Sequence, residues 1–145
     1  MPSKRYSGNK NMIYVAAVAL TNQQGEILLV QRPAGKQMAG LWEFPGGKIE
    51  SHESPEQALQ RELKEELNLT VDLDDLVHLC FVSHPYPDFH LVMLIYTCHQ
   101  WQGDVEMLEN QEDFAWVARD DLKAYPMPPA DLPVVEILCN LASLR

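Results

Sequence analysis

Glu62, Glu65 and Glu66 stand three and four residues apart behind Arg61, with Glu53 upstream and the pair Gly46-Gly47 before that. Residues three and four apart share a helix face, so this spacing gathers the three carboxylates. At roughly 100° per residue, Glu66 falls between the directions of Leu59 and Glu62, at the edge of the apolar stripe that Leu59, Leu63 and Leu67 define. Like charges at that spacing cost a helix roughly 0.2–0.5 kcal/mol, and half-buried carboxylates cost more without a positive charge among them. A hard divalent cation is one solution, since Mg²⁺ and Mn²⁺ prefer carboxylate and carbonyl oxygens. An acidic solvated face partnered by Arg61 and Lys64 is the other, and the helix alone leaves both open.

Local signals delimit the helix and strands that carry these residues. Ser54 is a natural N-cap, Pro55 suits the first helical position, and Gln57 completes a capping box. Asn68 tolerates the left-handed conformation of a C-terminal cap. Upstream, Gly46-Gly47 predicts a tight turn. Residues 12–20 form a continuous apolar run expected to be a strand buried on both faces, and residues 26–32 a second strand pairing with it in a hairpin. Residues 41–44 read as a short strand, 71–82 as a strand preceded by an acidic turn, 83–89 as a Pro- and Asp-rich turn, and 90–101 as another strand. Residues 112–118 follow as a strand, 120–124 as a helical turn, and a last amphipathic helix runs from Asp131 to about residue 144. Residues 1–11 are polar and basic, a loose tail before one domain spanning 12–145. Hairpins alternating with two helices indicate an α/β protein with a mixed sheet.

The chain as a whole bounds its partners. It has 145 residues and a net charge of −10, which disfavours nucleic acid or an anionic membrane as a surface-bound partner. A polyphosphate would be repelled as well unless cations bridged it. Cys80, Cys98 and Cys139 lie in apolar runs without ligand spacing and read as reduced thiols of a cytoplasmic protein. The basic start and the short apolar run resemble a signal peptide only superficially, because cleavage would remove a core strand. The five histidines form no ligand spacing, and Trp42, Trp101 and Trp116 read as core.

Gly47, five residues, Glu53, seven residues, then Arg61-Glu62-Leu63-x-Glu65-Glu66-x-x-Leu69 resembles the Nudix box, G-x5-E-x7-R-E-U-x-E-E-x-G-U with U aliphatic. The one departure is Asn68 in place of the last Gly, a position that asks for backbone permissiveness. The segments EILLVQRP, GLWEFPGGKIE, SHPYPDFHL and YPMPPADLP extend the resemblance to the MutT-type nucleoside triphosphate pyrophosphohydrolases over nearly all of residues 12–144.

That resemblance implies a Nudix α/β/α sandwich, with Mg²⁺ (or Mn²⁺) as cofactor and a nucleoside triphosphate as the small-molecule substrate. The implied reaction is attack of water, at the β-phosphorus in MutT-like enzymes with the α-phosphorus as the alternative, releasing the monophosphate and pyrophosphate. Carried over by position, Glu62, Glu65 and Glu66 would hold metal with the carbonyl of Gly46. Glu53 would be an outer ligand or aid water activation, and Arg61 would orient the glutamates. Arg32 and Lys48 would meet phosphates. The family often has a further glutamate near the sheet's last strand; Ala115 stands at the tryptophan-anchored position here, leaving Glu109 or Glu112.

Phe44, Tyr86, Asp88 and Asp131 are the candidates for the base. Asp131 also reads as a plain N-cap of the last helix. Where 8-oxoguanine-specific enzymes commonly carry Asn, an ionised Asp only accepts hydrogen bonds, which suits the exocyclic amine of a cytosine. The resemblance implies 8-oxo-dGTP as the substrate, in nucleotide-pool sanitation, and Asp131 supports CTP, dCTP or oxidised pyrimidine nucleotides as the alternative. A non-catalytic nucleotide sensor is a third reading, against which stands a box with all its glutamates. No obligate protein partner is implied.

Overall fold

The computed structural model describes residues 11–109 and 111–142; nearly all of the sequence-expected tail, and the end of the last helix at residue 144, lie outside them. The strands are β1 (Asn11–Leu20), β2 (Ile27–Gln31), β3 (Trp42–Glu43), β4 (Gly46–Lys48), β5 (Val77–Pro85), β6 (Phe89–Cys98) and β7 (Asp113–Val117). The helices are α1 (Pro55–Leu67) and α2 (Leu132–Asn140), with 3₁₀ turns at Leu73–Asp75, Arg119–Ala124 and Pro129–Asp131.

The expected β1–β2 hairpin is corrected. The two strands pair only at the Thr21–Ile27 bridge, where the Asn22 side chain accepts from the Gln24 and Glu26 amides, and then enter different sheets. β1 lies in a four-stranded sheet of order β4-β1-β6-β5, and β2 in a three-stranded sheet of order β3-β2-β7. The first sheet is mixed, since β1 runs parallel to β6 and antiparallel to β4, while the second is antiparallel throughout. The expected mixed sheet is thus the four-stranded one, and a second, antiparallel sheet accompanies it. The 71–82 strand and 83–89 turn also shift, because β5 continues to Pro85 and the reversal is confined to residues 86–88.

Two cores explain the unbroken apolar runs. Ala16, Val18 and Leu20 of β1 and Leu28 and Val30 of β2 pack with Ala58, Leu59, Leu63 and Leu67 of α1. The alternate residues Ala17, Ala19, Ile27 and Leu29 pack with Val134, Val135 and Leu138 of α2. Both central strands are therefore covered on both faces, as a strand in an α/β/α sandwich must be. Burying each leucine of the α1 stripe stabilises by about 1.5–3 kcal/mol.

α1 has the predicted ends. The Gln57 amide donates to Ser54 Oγ at 3.1 Å and the Ser54 amide to Gln57 Oε1 at 2.8 Å. Asn68 is left-handed (φ 58°, ψ 34°), and its N–H caps the Leu63 and Lys64 carbonyls. Gly46 and Gly47 depart from expectation. They are no tight turn but a strand pairing with Ala16 and Ala17 of β1. α2 ends at Asn140, with Leu141 already extended.

Candidate active site

Arg61 ties the box loop to α1. Its Nε and Nη2 donate to the two Glu53 oxygens at 3.0 and 2.6 Å, and its Nη1 to Glu62 Oε1 at 2.9 Å and Glu65 Oε2 at 3.3 Å. Nη2 also reaches the Lys48 carbonyl at 3.2 Å. A planar fork with five donors suits this task as no other side chain does. Hydrogen bonds from Arg61, with the Glu50 amide in support, hold the Glu53 carboxyl down at about 2. A carboxylate so held is a weak base. The same contacts raise the Arg61 guanidinium further above its ordinary value.

The two glycines make room for this arrangement. A Cβ on Gly47 would lie 2.4 Å from Glu62 Cδ, and one on Gly46 would lie 2.0 Å from the Ala16 carbonyl oxygen. Glu62 thus rests against the Gly47 backbone and contacts Glu66. Burial, then the hydrogen bond and charge of Glu62, then the charges of Glu109 and Glu43, push the Glu66 carboxyl far above the carboxylate range.

Glu62 and Glu66 open into a cleft of about 800 Å³. Gly46, Gly47 and Lys48 line the same end, while Tyr86, Phe89 and Asp131 line its other reaches. Arg32, Lys36 and Met38 contribute from the loop after β2, and Phe44 and Glu43 from around β3. Arg32 Nη1 pairs with Glu43 Oε2 at 3.0 Å, and its Nε donates to the Gln37 carbonyl at 3.0 Å. Burial raises the Glu43 carboxyl against the opposing effect of Arg32. The Ala130 amide donates to Tyr86 Oη at 3.3 Å, and the Tyr86 ring stacks on Phe89 with centroids 5.0 Å apart.

Asp131 is 5% exposed and makes no capping hydrogen bond, so the plain N-cap reading is corrected. A 3₁₀ turn runs directly into α2: the Leu132 amide bonds the Pro129 carbonyl, and Pro133 has no amide to be capped. Burial, reinforced by the charge of Glu43 and opposed by Arg32, pushes its carboxyl up to about 8. A neutral carboxyl both donates and accepts, which removes the argument that Asp131 can only accept.

Other candidates lie outside the cleft. Asp88 is exposed at the tip of the β5–β6 turn, and Phe89 takes the place in the cleft that its neighbour was expected to fill. Glu65 is 51% exposed and turned to Arg61. Of the two loop glutamates, Glu109 lines a small recess with Glu66 and Gly46, whereas Glu112 accepts from the Ala34 amide at 3.1 Å. Sequence reasoning missed Glu43 and Lys36. An acidic residue alternating with Trp42 and Phe44 was the available signal for Glu43; nothing marked Lys36.

Among the described residues no preformed cage of three or more metal-ligating side chains exists. The site nonetheless fits a divalent cation. Glu62 and Glu66 are hard oxygen donors in mutual contact, and a cation there would take the place of the proton that the raised Glu66 carboxyl retains. A second concavity of about 640 Å³, around Thr21, Asp72 and Gln102, shares none of these residues.

Comparison with known proteins agrees. The NUDIX domain family matches residues 10–138. The chain is 38% identical to the CTP pyrophosphohydrolase of Escherichia coli, covering 92% of this chain and 96% of that one. It is 39% identical to the 8-oxo-dGTP diphosphatase of Haemophilus influenzae, covering 91% and 95%. The MutT NUDIX hydrolase of Burkholderia pseudomallei superposes with a TM-score of 0.78 at 30% identity, over 88% of this chain and 98% of that one. The arginine-fastened glutamates, the glycine strand beneath them and the α/β/α frame thus accompany a match along almost the whole chain, which belongs to the Nudix family as a MutT-type hydrolase.

Proposed function

We propose that the protein hydrolyses 8-oxo-dGTP to the monophosphate and pyrophosphate with Mg²⁺, acting in the cytoplasm on the free nucleotide pool. The observation that carries the metal-dependent chemistry is the half-buried Glu62–Glu66 contact lining the cleft, a carboxylate pair that calls for a cation. Glu62, Glu66 and the Gly46 carbonyl would hold Mg²⁺, with Glu109 nearest across the recess. Bound there, the ion would neutralise phosphate oxygens and acidify a water molecule. Arg61 keeps Glu62 in place and Glu53 ionised, so Glu53 serves as an anchor rather than as the base. Lys48, which lines the cleft with Gly46 and Gly47, would meet phosphates.

The choice of base rests on Asp131. Its carboxyl holds its proton well above the ordinary carboxylate range, and in that form offers one donor and one acceptor to a purine edge, the pattern an Asn side chain offers. Phe44 and Tyr86 would flank the ring. The second reading, CTP or an oxidised pyrimidine nucleotide, draws on the 38% identity to the E. coli CTP pyrophosphohydrolase. Pyrophosphate release from a panel of normal and oxidised nucleoside triphosphates decides between them. The expected result is the highest kcat/KM for 8-oxo-dGTP with Mg²⁺ and none with EDTA; a higher value for CTP or dCTP selects the second reading.

A further inference from the structure

We propose that Lys36 is the side chain that meets the outer phosphates of the triphosphate, and that Arg32 is the clip holding its loop rather than a phosphate ligand. The proposal rests on the triphosphate reading above. Arg32 is already engaged: Nη1 contacts both Glu43 oxygens at 3.3 and 3.0 Å, and Nε holds the Gln37 carbonyl at 3.0 Å. The pair is half-buried, at 28% and 31% side-chain exposure. Drawing Arg32 away toward a phosphate would leave Glu43 uncompensated in a cleft that also holds Glu66 and Asp131, and a partly buried carboxylate stripped of its partner is costly.

The loop of residues 33–40 is pinned along its length. The Ala34 amide donates to Glu112 Oε1 at 3.1 Å, Gln37 is held by Arg32, and the Gly40 carbonyl accepts from Gln31 Nε2 at 3.0 Å. The Arg32 and Gly40 amides close its base, bonding the Leu41 and Arg32 carbonyls at 2.8 and 3.2 Å. Lys36 stands between the pins at 34 and 37. It lines the main cleft and also the recess of about 160 Å³ that Gly46, Glu66 and Glu109 share. Among the described residues no carboxylate lies within ion-pair distance of Lys36. An unpaired ammonium on a pinned loop, at the junction of two cavities beside carboxylates, is placed for a polyanion brought there with a cation. Lys48 faces the same cleft from β4.

The test is calorimetric binding of a methylene-bridged, non-hydrolysable nucleoside triphosphate and of the matching monophosphate, with Mg²⁺ present. Lys36→Gln is expected to weaken the triphosphate about tenfold and the monophosphate less than about twofold, with Lys36→Arg restoring affinity. The loss should shrink as salt is added. Glu43→Gln should speed amide exchange across residues 34–40, as release of the clip requires. Unchanged triphosphate affinity in Lys36→Gln overturns the proposal. So does an Arg32→Gln variant that loses triphosphate affinity while loop exchange stays at the wild-type rate. Failure of the wild-type protein to bind any triphosphate would instead overturn the functional reading beneath it.

Discussion

Arg61 donates to Glu53, Glu62, Glu65 and the Lys48 carbonyl at once, so its loss frees three carboxylates to repel one another. Arg61→Lys keeps the charge but not the fork, and kcat should fall about 10- to 100-fold with the far-UV spectrum unchanged. The acid side reports the same contact. Glu53 sits below its ordinary value of 4.5, so it contributes stability above that pH which disappears as pH falls toward about 2. Acid unfolding of Arg61→Lys, followed by circular dichroism, should begin at higher pH than in the wild type. Asp131 has the opposite sign. Its carboxyl is raised from 3.8 to about 8, so its contribution is complete below 3.8 and lost as pH climbs through 8. Asp131→Asn should therefore gain Tm over the wild type progressively from pH 4 to pH 9. It should also keep 8-oxo-dGTP hydrolysis at neutral pH, whereas Asp131→Ala should lose about tenfold or more in kcat/KM.

At the scale of elements, α1 and the glycine strand beneath it form one device. Gly47→Ala would drive a methyl group to 2.4 Å from Glu62 Cδ, and the side chain can swing aside. That variant should fold and lose activity. Gly46→Ala meets the Ala16 backbone at 2.0 Å, cannot be relieved by a rotamer, and should destabilise the fold by about 1–3 kcal/mol in urea titration. At the other end of α1, Asn68→Ala should cost about 1 kcal/mol for its left-handed φ of 58°, while Asn68→Gly should be nearly neutral. The ends and stripe of α1 were legible because capping and 3.6-residue periodicity are local physics. The partner of β2 was not. Its apolar run reports burial on both faces and says nothing of which edge it joins, so proximity in sequence suggested a hairpin that the second sheet overrides. Gly46-Gly47 misled for a related reason: glycine usually marks a turn, whereas here the missing side chains admit Glu62 and the neighbouring strand. The box residues were legible through their spacing, but Glu43, Lys36 and the burial of Asp131 arise only when separate strands and loops meet around the cleft.

For the molecule as a whole, the net charge of −10 and the Glu62–Glu66 contact bear on the same equilibrium. A chain with so much like charge stores repulsion in its folded state, and Glu53, Glu62, Glu65 and Glu66 gather where α1 faces β4. A cation that binds only the folded form stabilises it by mass action, about 1.4 kcal/mol at ten times its Kd and about 2.7 kcal/mol at a hundred times. For a domain of this size each kcal/mol raises Tm by roughly 2–4 °C. Mg²⁺ should therefore raise the wild-type Tm by several degrees at saturating concentration, and EDTA should reverse the gain. General screening of surface charge would act equally on every variant, whereas occupancy of the cleft needs its carboxylates. Glu66→Gln removes the cost of burying an ionisable carboxyl beside Glu62, so its metal-free Tm should match or exceed the wild type's while its response to Mg²⁺ is largely lost. Calorimetric scans of both proteins at constant ionic strength separate the two effects. An undiminished Mg²⁺ response in Glu66→Gln would move the cation away from α1.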